Sequence, residues 1–357
     1  MIQKLSKLNK LNNRKGPVIL IILDGIGIGK NDESNAIYKA NSPFLDSLKS
    51  HNLYCELKAH GKAIGMPTDE DMGNSEVGHN ALGAGRIFDQ GSLLVKRAIE
   101  SESIFSSNAY KDGIANCKKH NSTLHFIGLL SDGNVHNHID YQLKIIRQAA
   151  KQHNKIRLHT LLDGRDVESR SALTYIKKLN ALISTLQEKK VDIKIASGGG
   201  RMITTMDRYN ADWSIVERGY NAHVHGIGNQ VSSAQEAILN AYESDKNLND
   251  QYIPPFVICE NNNPVGKINT NDTVFFTNFR GDRSIEISQT FEDKEFDKFN
   301  RNDHPEVFYA GMMQYDGDKQ IPKNFLVSPP QINNCLSEFL CNENLPSFAI
   351  SETQKYG

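Results

Sequence analysis

Thr123-Leu124-His125-Phe126-Ile127-Gly128-Leu129-Leu130 is a mostly apolar run, and the polar loop Ser131-Asp132-Gly133-Asn134-Val135-His136-Asn137-His138 follows it directly. The run predicts a strand. Beyond the loop, Leu143, Ile146 and Ala150 recur at the spacing of one helix face. A strand, a polar loop and an amphipathic helix in this order form the repeating unit of a parallel α/β sheet.

The same unit recurs along the chain. The further strand and loop pairs are Ile156–Leu162 with Asp163–Asp166, Val191–Ala196 with Ser197–Arg201, and Thr273–Thr277 with Asn278–Arg283. Strands that alternate with helices predict a mostly parallel sheet with right-handed crossovers. Because ligands bind at the carboxyl edge of such sheets, we expect the four loops to surround one binding site.

Charged side chains are concentrated in or just after these loops. The arginines are Arg165, Arg201, Arg208, Arg280 and Arg283. A single arginine of this kind is as easily explained by a surface ion pair, but guanidinium groups bind carboxylate and phosphate oxygens two at a time, so five together predict a small anionic substrate. His136 and Asp166, each close to a glycine, are the groups best placed to transfer protons.

The amino-terminal part adds an acid and a serine. Val18–Leu23 predicts a parallel strand buried on both faces, and it ends at Asp24, where a metal or a substrate would bind. Met72–Arg86 contains Ser75 between glycines, which predicts a nucleophile or a helix cap. A serine hydroxyl reacts at neutral pH only when a base or a metal ion stabilises its alkoxide. Gly25–Gly29 lacks the spacing of a dinucleotide fingerprint.

Composition limits the class of protein. The 357 residues predict roughly two domains of about 150 residues each. With 41 basic and 42 acidic residues, the chain offers no basic face for nucleic acid. Its 5 cysteines form no C-x-x-C pair, and no apolar run is long enough to span a membrane. We therefore expect a soluble, cytoplasmic protein with neither nucleic-acid nor membrane partners, preceded by a basic extension that is either loosely packed or a weak presequence.

From Pro17 onward the motifs resemble one family. They are Leu23-Asp24-Gly25, the Gly73–Arg86 block, Ser131-Asp132-Gly133 with His136 and His138, Leu162–Asp166, Met206-Asp207-Arg208-Tyr209, Asn278-Phe279-Arg280 through Arg283, and Ser351-Glu352-Thr353 with Lys355-Tyr356. The chain is similar to the cofactor-independent phosphoglycerate mutases, which are metal-dependent members of the alkaline phosphatase superfamily. The resemblance implies an α/β fold in which an alkaline-phosphatase-like domain, incomplete here, is interrupted by an inserted α/β transferase domain. The implied division is an extension at 1–16, phosphatase-like parts at 17–90 and 327–357, and the transferase domain at 91–326.

The resemblance also implies roles. Ser75 would accept the phosphoryl group of 3-phosphoglycerate and return it to the 2-hydroxyl, without 2,3-bisphosphoglycerate. Asp24 and Ser75 would bind one of two divalent ions, for which manganese is the first expectation, and Lys355 would neutralise charge on the transferring group. Asp166 would be the acid and base for the glycerate hydroxyls. The substrate-binding residues would be His136, Arg165, Asp166, Arg201, Arg208, Arg280 and Arg283. The complete protein is expected to be a monomer.

One departure from the family pattern leaves alternatives open. The family takes most of its metal ligands from aspartates and histidines that come after the lysine motif, whereas 319–357 contains neither residue type. We therefore expect near-background mutase activity from these 357 residues. The chain is either the amino-terminal part of an active mutase or a non-catalytic module that binds phosphoglycerate or a protein. Another metal-dependent phosphomutase or phosphatase of the superfamily is the remaining alternative.

Overall fold

The computed structural model describes residues 16–351 and divides the chain into two compact units. The smaller unit is Met1–Phe88 with Gln331–Gly357, of which 16–88 and 331–351 are described, and the larger unit is Asp89–Pro330. No helix among the described residues has both the length and the apolar composition that crossing a membrane requires.

A mostly parallel sheet forms the centre of the larger unit. Its strands are β1 (Leu124–Leu130), β2 (Lys155–Leu162), β3 (Asp192–Gly200), β4 (Asn229–Val231), β5 (Phe256–Glu260), β6 (Asn263–Pro264), β7 (Thr273–Phe276) and β8 (Phe308–Gly311). Their order is β4-β5-β3-β2-β1-β7-β8, with β6 paired to β5. The neighbouring strands β3, β2, β1, β7 and β8 are all parallel to one another, whereas β5 is antiparallel to β3. The predicted α/β class is confirmed.

Helices cover both faces of this sheet. In the larger unit the described α-helices are α4 (Gly91–Glu100), α5 (Asn108–His120), α6 (Ile139–Ala149), α7 (Ala172–Glu188), α8 (Trp213–Tyr220), α9 (Ala234–Ser244) and α10 (Ile285–Glu292), and a π-helical turn at Asn221–His225 continues α8. The smaller unit has α1 (Ala36–Lys39), α2 (Pro43–Lys49), α3 (Ser75–Ala84) and α11 (Leu336–Asn342) among its described residues. Phe126 of β1 belongs to a core shared with α4–α7 and α9, whereas Ile127 belongs to a second core shared with α8 and α10. Alternate side chains of one strand are therefore buried on opposite faces.

The end of β3 differs from the prediction. Ser197–Gly200 was expected to form a loop, but it continues the strand. A Cβ atom at Gly198 would lie 2.4 Å from the Thr160 carbonyl oxygen and 2.5 Å from the Phe256 ring. Glycine is needed here because the neighbouring strands leave no space for a side chain, and pairing on both sides overrides its weak strand preference.

The predicted strand Val18–Leu23 is absent from the smaller unit. The segment has no regular structure, and Val18 is 97% and Ile19 75% exposed. A strand persists only when its backbone groups pair with a neighbour. All described strands belong to the larger unit, so none is available beside this segment. The prediction of a buried strand is wrong for the described residues.

Candidate functional site

Four loops of the larger unit meet at one edge of its sheet. They follow β1, β2, β3 and β7, which are neighbours in the order β3-β2-β1-β7 and run in the same direction. The parallel register puts the carboxyl ends of these strands side by side. His136, Arg165, Asp166, Arg201, Arg280 and Arg283 all lie in these loops, and Arg208 lies between β3 and α8.

Arg201 forms the buried centre of this edge. Its side chain is 2% exposed, and Nη1 donates to Asp163 Oδ1 at 2.7 Å and to Asp166 Oδ2. Although burial opposes the charged form, the carboxylates of Asp163 and Asp166 raise the pKa of Arg201 above its ordinary value. Arg201 is therefore a permanent buried cation that joins the loops after β2 and β3.

Asp163 organises the loop after β2, a role that the sequence pattern did not reveal. Its Oδ2 atom accepts from the Ser131 hydroxyl at 2.6 Å, while Oδ1 accepts from the backbone N–H groups of Arg165 and Asp166 at 3.2 Å. The Asp-Gly pair that follows a buried strand was the available signal, because aspartate folds back onto nearby backbone N–H groups in turns. Asp163 thus fixes the positions of Arg165 and Asp166.

The loop after β1 approaches Asp166 closely. A Cβ atom at Gly133 would lie 2.6 Å from the Asp166 carbonyl oxygen, so only glycine fits at this position. Asp166 is half-buried and its carboxylate is oriented by Arg201, whereas Arg165 is exposed. Asp166 is therefore accessible to a ligand that binds at the edge.

His136 is a neutral imidazole among arginines. It is 3% exposed, and burial followed by the charges of Arg201 and Arg280 holds its pKa well below the ordinary range. Nδ1 lies 3.7 Å from Asp282 Oδ1 and has no hydrogen-bond partner among the described residues. A neutral, buried histidine of this kind can bind a polar ligand but cannot serve as an acid at neutral pH.

Positive charge is incompletely balanced at this edge. Asp282 is buried and lies 3.2 Å from Arg280 Nε and 3.4 Å from Arg208 Nη1. Arg283, in contrast, donates to the Met206 carbonyl oxygen at 2.5 Å. Burial and then the charges of Arg201 and Arg208 lower the pKa of Arg283 to about 10. A bound anion would relieve this repulsion, which is the property expected of an anion site.

The segment that carries Arg208 is held by carboxyl groups behind it. Asn210 N–H donates to Glu286 Oε1 at 2.9 Å, and Asp212 N–H donates to Asp207 Oδ2 at 2.6 Å. Burial raises the pKa of Glu286 to about 7; the bond from Asn210 opposes this effect and the nearby Asp207 adds to it. Glu286 is therefore a buried group that titrates near neutral pH.

Glu286→Gln is expected to remove part of the pH dependence of stability. The pKa of Glu286 in the fold lies above its ordinary value of 4.5, so the folded state holds the proton more tightly than the unfolded state. The resulting stabilisation is fully present below about pH 4.5 and is lost as the pH rises through about 7. Between about pH 4.5 and pH 8, the free energy of unfolding should therefore fall by about 3 kcal/mol more in the wild type than in the variant. Urea denaturation at several pH values measures this difference. The exposed Glu295→Gln is the matched control, and identical pH profiles for wild type and Glu286→Gln would contradict the assignment.

The smaller unit brings Asp24 and Ser75 together. Ser75 begins α3, and its Oγ atom donates to Asp24 Oδ2 at 2.7 Å. His79, one turn later, has Nδ1 at 3.4 Å from Ser75 Oγ and at 2.8 Å from the Ser75 carbonyl oxygen. The helix cap is Asn74, whose side chain accepts from Val77 N–H at 3.2 Å. Ser75 is therefore not the cap, and its hydroxyl lies at the positive end of a helix.

The described residues supply only part of the ligands that a metal ion needs. Asp24 and Ser75 contribute two oxygen atoms, whereas a divalent ion such as manganese prefers about six donors. Among residues 16–351, no group of three or more His, Cys, Asp or Glu side chains could hold a metal ion. The described residues therefore do not complete a metal site by themselves. Lys355, the predicted charge-neutralising residue, lies outside the described residues.

The fold and the arginine-rich edge define an α/β protein whose sheet edge has the charge distribution expected of an anion site. A family of proteins described as BPG-independent PGAM N-terminus (iPGM_N) matches residues 95–317. A probable 2,3-bisphosphoglycerate-independent phosphoglycerate mutase of Leptospira interrogans is 55% identical over 357 residues, which are 99% of this chain and 65% of that protein. The mutase of Trypanosoma brucei brucei is 50% identical over 343 residues, which are 95% of this chain and 62% of that protein.

A solved structure agrees with these relatives. The crystal structure of Leishmania mexicana phosphoglycerate mutase at low cobalt concentration is similar with a TM-score of 0.88 and 48% identity, and the match covers 90% of this chain and 59% of that one. The chain therefore belongs to the 2,3-bisphosphoglycerate-independent phosphoglycerate mutase family. It spans about 65% of the length of the Leptospira relative.

Proposed function

We propose that this chain takes part in the interconversion of 3-phosphoglycerate and 2-phosphoglycerate, a step of glycolysis and gluconeogenesis. The observation that carries the proposal is the arginine-rich sheet edge, where the like charges of Arg201, Arg208 and Arg283 surround the neutral His136. A phosphoglycerate carries a carboxylate and a phosphate, and both anions match guanidinium groups. Family membership supports the same substrate.

In this proposal Ser75 carries the phosphoryl group. Its Oγ atom forms the bond to phosphorus while the bond from phosphorus to the 3-oxygen of the substrate breaks, and the reverse step delivers the group to the 2-oxygen. The Ser75 hydroxyl proton has Asp24 as its hydrogen-bond acceptor at 2.7 Å. Asp166, oriented by Arg201, supplies a proton to the released 3-oxygen and takes one from the 2-hydroxyl.

The remaining side chains bind and neutralise the substrate. His136, Arg165 and the arginines of the sheet edge hold the carboxylate, hydroxyl groups and phosphate, and Lys355 neutralises charge on the transferring group. Because phosphoryl transfer depends mostly on positioning and charge stabilisation, these residues match its main requirements. We propose the unit with Asp24 and Ser75 as the phosphatase-like domain and the larger unit as the transferase domain.

Asp24 and Ser75 are also the residues proposed to bind one of two divalent ions, for which manganese is our first choice. Such an ion would stabilise the serine alkoxide and the charge of the phosphoryl group. The crystal structure of the Leishmania mexicana mutase at low cobalt concentration supports a divalent metal. We further propose a monomeric, cytoplasmic enzyme that needs no 2,3-bisphosphoglycerate.

Titration of the chain with 3-phosphoglycerate by calorimetry tests the binding half of this proposal. Arg208→Gln is expected to weaken binding by about 10- to 100-fold, because a hydrogen bond to a charged group contributes about 1.5–3 kcal/mol. Arg147→Gln on the exposed side of α6 is the matched control and should bind as the wild type does. Equal affinity in Arg208→Gln, or no binding by the wild type, would contradict the proposal.

An enolase-coupled assay with added manganese tests for turnover. Isomerised product supports the mutase, and release of inorganic phosphate without isomerised product favours a phosphatase of the same superfamily. Binding without turnover is expected both of the amino-terminal part of a mutase and of a non-catalytic module; the coding sequence after Gly357 separates these two, since Asp and His motifs there would favour the mutase.

A further inference from the structure

A buried network of polar side chains crosses the sheet of the larger unit. Its members in order are Asp272, His125, His159, Ser197, His223 and Thr205, which we call the histidine network. The hydrogen bonds between successive members measure 3.1, 2.9, 2.7, 2.7 and 2.9 Å. Every member is at most 3% exposed. The chemistry proposed above uses none of them.

The carboxylate at one end fixes the direction of every bond. Asp272 also accepts from the backbone N–H groups of Thr123 and Asn269, both at 2.7 Å. Although burial opposes the charged form, the bond from His125 and these N–H groups lower the pKa of Asp272 below its ordinary value. A carboxylate only accepts hydrogen bonds, so His125 Nε2 carries a proton and donates to it.

The direction then passes along the network. Neutral His125 accepts at Nδ1 from His159 Nε2, and His159 accepts at Nδ1 from the Ser197 hydroxyl. Because Ser197 donates its only proton to His159, it must accept from His223 Nδ1. His223 Nε2 is then an acceptor for the Thr205 hydroxyl. Burial lowers the pKa of all three histidines, that of His223 to about 3, which agrees with one proton on each ring.

The network ends on a residue whose backbone is strained. Thr205 has φ of 72°, in the left-handed region that a β-branched residue rarely adopts. Its N–H group donates to the Ile215 carbonyl oxygen at 2.8 Å. A Cβ atom at Gly219 of α8 would lie 2.0 Å from Thr205 Oγ1 and 2.7 Å from Thr205 N, so α8 packs directly against Thr205 and only glycine fits at position 219. The surroundings therefore hold Thr205 in one conformation.

Thr205 directly precedes residues that position the anion site. The carbonyl oxygen of Met206 accepts from Arg283 Nη1 at 2.5 Å, and Arg208 lies 3.4 Å from Asp282. A change in the backbone at Thr205 would move the acceptor of Arg283 and the attachment of Arg208. The hydroxyl of Thr205 is thus connected to two arginines of the binding edge through a few bonds of backbone.

We propose that the histidine network is a positioning device: it holds Thr205 in its strained conformation and thereby fixes Arg208 and Arg283 for anion binding. The network itself follows from the hydrogen-bond geometry of the sheet, and the inference rests on the proposed function only for the identity of the ligand. Its members are positioning residues, since they act on the ligand through Met206 and the backbone of this segment.

Imidazole tautomers test the network without any ligand. In ¹⁵N spectra of the histidine rings of the wild-type chain at neutral pH, His125 and His159 are expected to carry the proton on Nε2, and His223 on Nδ1. Assignments come from single His→Gln variants. A proton on Nε2 of His223, or a doubly protonated ring at any of the three positions, would overturn the proposed direction and with it the network.

A pair of substitutions at Thr205 tests the positioning role. Thr205→Val keeps the β-branched shape and replaces the hydroxyl by a methyl group, whereas Thr205→Ser keeps the hydroxyl and removes the methyl group. The reporter is Trp213, the only tryptophan of the chain, whose Nε1 donates to Asn210 Oδ1 at 3.1 Å in the segment after Arg208. Thr205→Val is expected to shift the Trp213 emission and to weaken 3-phosphoglycerate binding by about tenfold. Thr205→Ser should resemble the wild type in both measurements.

Loss of stability alone must not be mistaken for this effect. Ile238→Val in α9 removes one methylene from the larger core and should lower Tm while leaving Trp213 emission and binding unchanged. If Thr205→Val lowers only Tm, or if Thr205→Ser is the more damaging change, the positioning role is wrong. If the wild type fails to bind 3-phosphoglycerate, the proposed function fails, while the tautomers and the Trp213 emission still decide the network.

Discussion

Arg201→Ala is expected to lower the free energy of unfolding by about 3–5 kcal/mol and to abolish 3-phosphoglycerate binding. The guanidinium is buried and bonds to both Asp163 and Asp166. Asp163 is 2% exposed, and Arg201 is its only side-chain cation in the ion pairs of residues 16–351. Removal of Arg201 therefore leaves a buried carboxylate without a cation. A buried charge that loses its partner costs more than the pair contributed.

Urea denaturation and calorimetric titration measure the two parts of this prediction. Arg147→Ala, in an exposed position of α6, is the matched control and should change the free energy of unfolding by less than about 0.5 kcal/mol. Arg201→Lys is expected to recover part of the stability, since it restores a charge, but little of the binding, since lysine lacks the planar fork with which a guanidinium group binds carboxylate and phosphate oxygens. An Arg201→Ala chain as stable as the control would show that Asp163 does not depend on Arg201.

The sequence predicted the strand and loop units well because burial on both faces requires continuous apolar runs. Leu124–Leu130 and Lys155–Leu162 match the predicted runs within a residue at each end. Val18–Leu23 has the same kind of composition and yet forms no strand, since composition shows only that a segment can be buried. Whether it is buried depends on neighbours that the segment itself does not contain. Ser197–Gly200 shows the opposite error, because it was predicted as a loop and forms the end of β3. The close contacts between strands that require glycine there cannot be seen in the sequence.

The site was predictable to the level of loops. Parallel strands carry the residues that follow them to one edge, so His136 and Arg201 could be placed together from their positions after β1 and β3. Their environments could not be predicted. The buried charge of Arg201 and the neutral state of His136 depend on packing and on neighbouring loops, which no spacing in the sequence specifies.

The histidine network shows the limit most clearly. His125 lies opposite Arg157 in the sheet, and His159 pairs with Ser197 across a shift in register between β2 and β3. Each histidine seen alone in the sequence is an ordinary strand or helix residue. Only the register of three strands and the turn after α8 brings the three rings together, so the network becomes apparent from the three-dimensional structure alone.

Ser75→Ala is expected to abolish mutase activity, by more than about four orders of magnitude, while leaving the fold intact. The Oγ atom is the one to which the phosphoryl group is proposed to bind, and alanine offers no replacement. The substitution should cost less than about 0.5 kcal/mol of the free energy of unfolding, because Asn74 supplies the cap of α3 and alanine favours a helix. A loss of activity therefore cannot be attributed to a loss of the helix.

The test uses a form of the protein that interconverts the two phosphoglycerates. An enolase-coupled assay measures its activity, and mass spectrometry measures the mass of the intact protein after incubation with 3-phosphoglycerate. Wild type should show an added phosphoryl group that Ser75→Ala lacks. Ser337→Ala in the exposed part of α11 is the matched control in the same unit and should retain both activity and the added mass. Because the proposed substrate-binding arginines belong to the other unit, Ser75→Ala should still bind 3-phosphoglycerate. Full activity in Ser75→Ala would refute the assignment of Ser75 as the phosphoryl carrier.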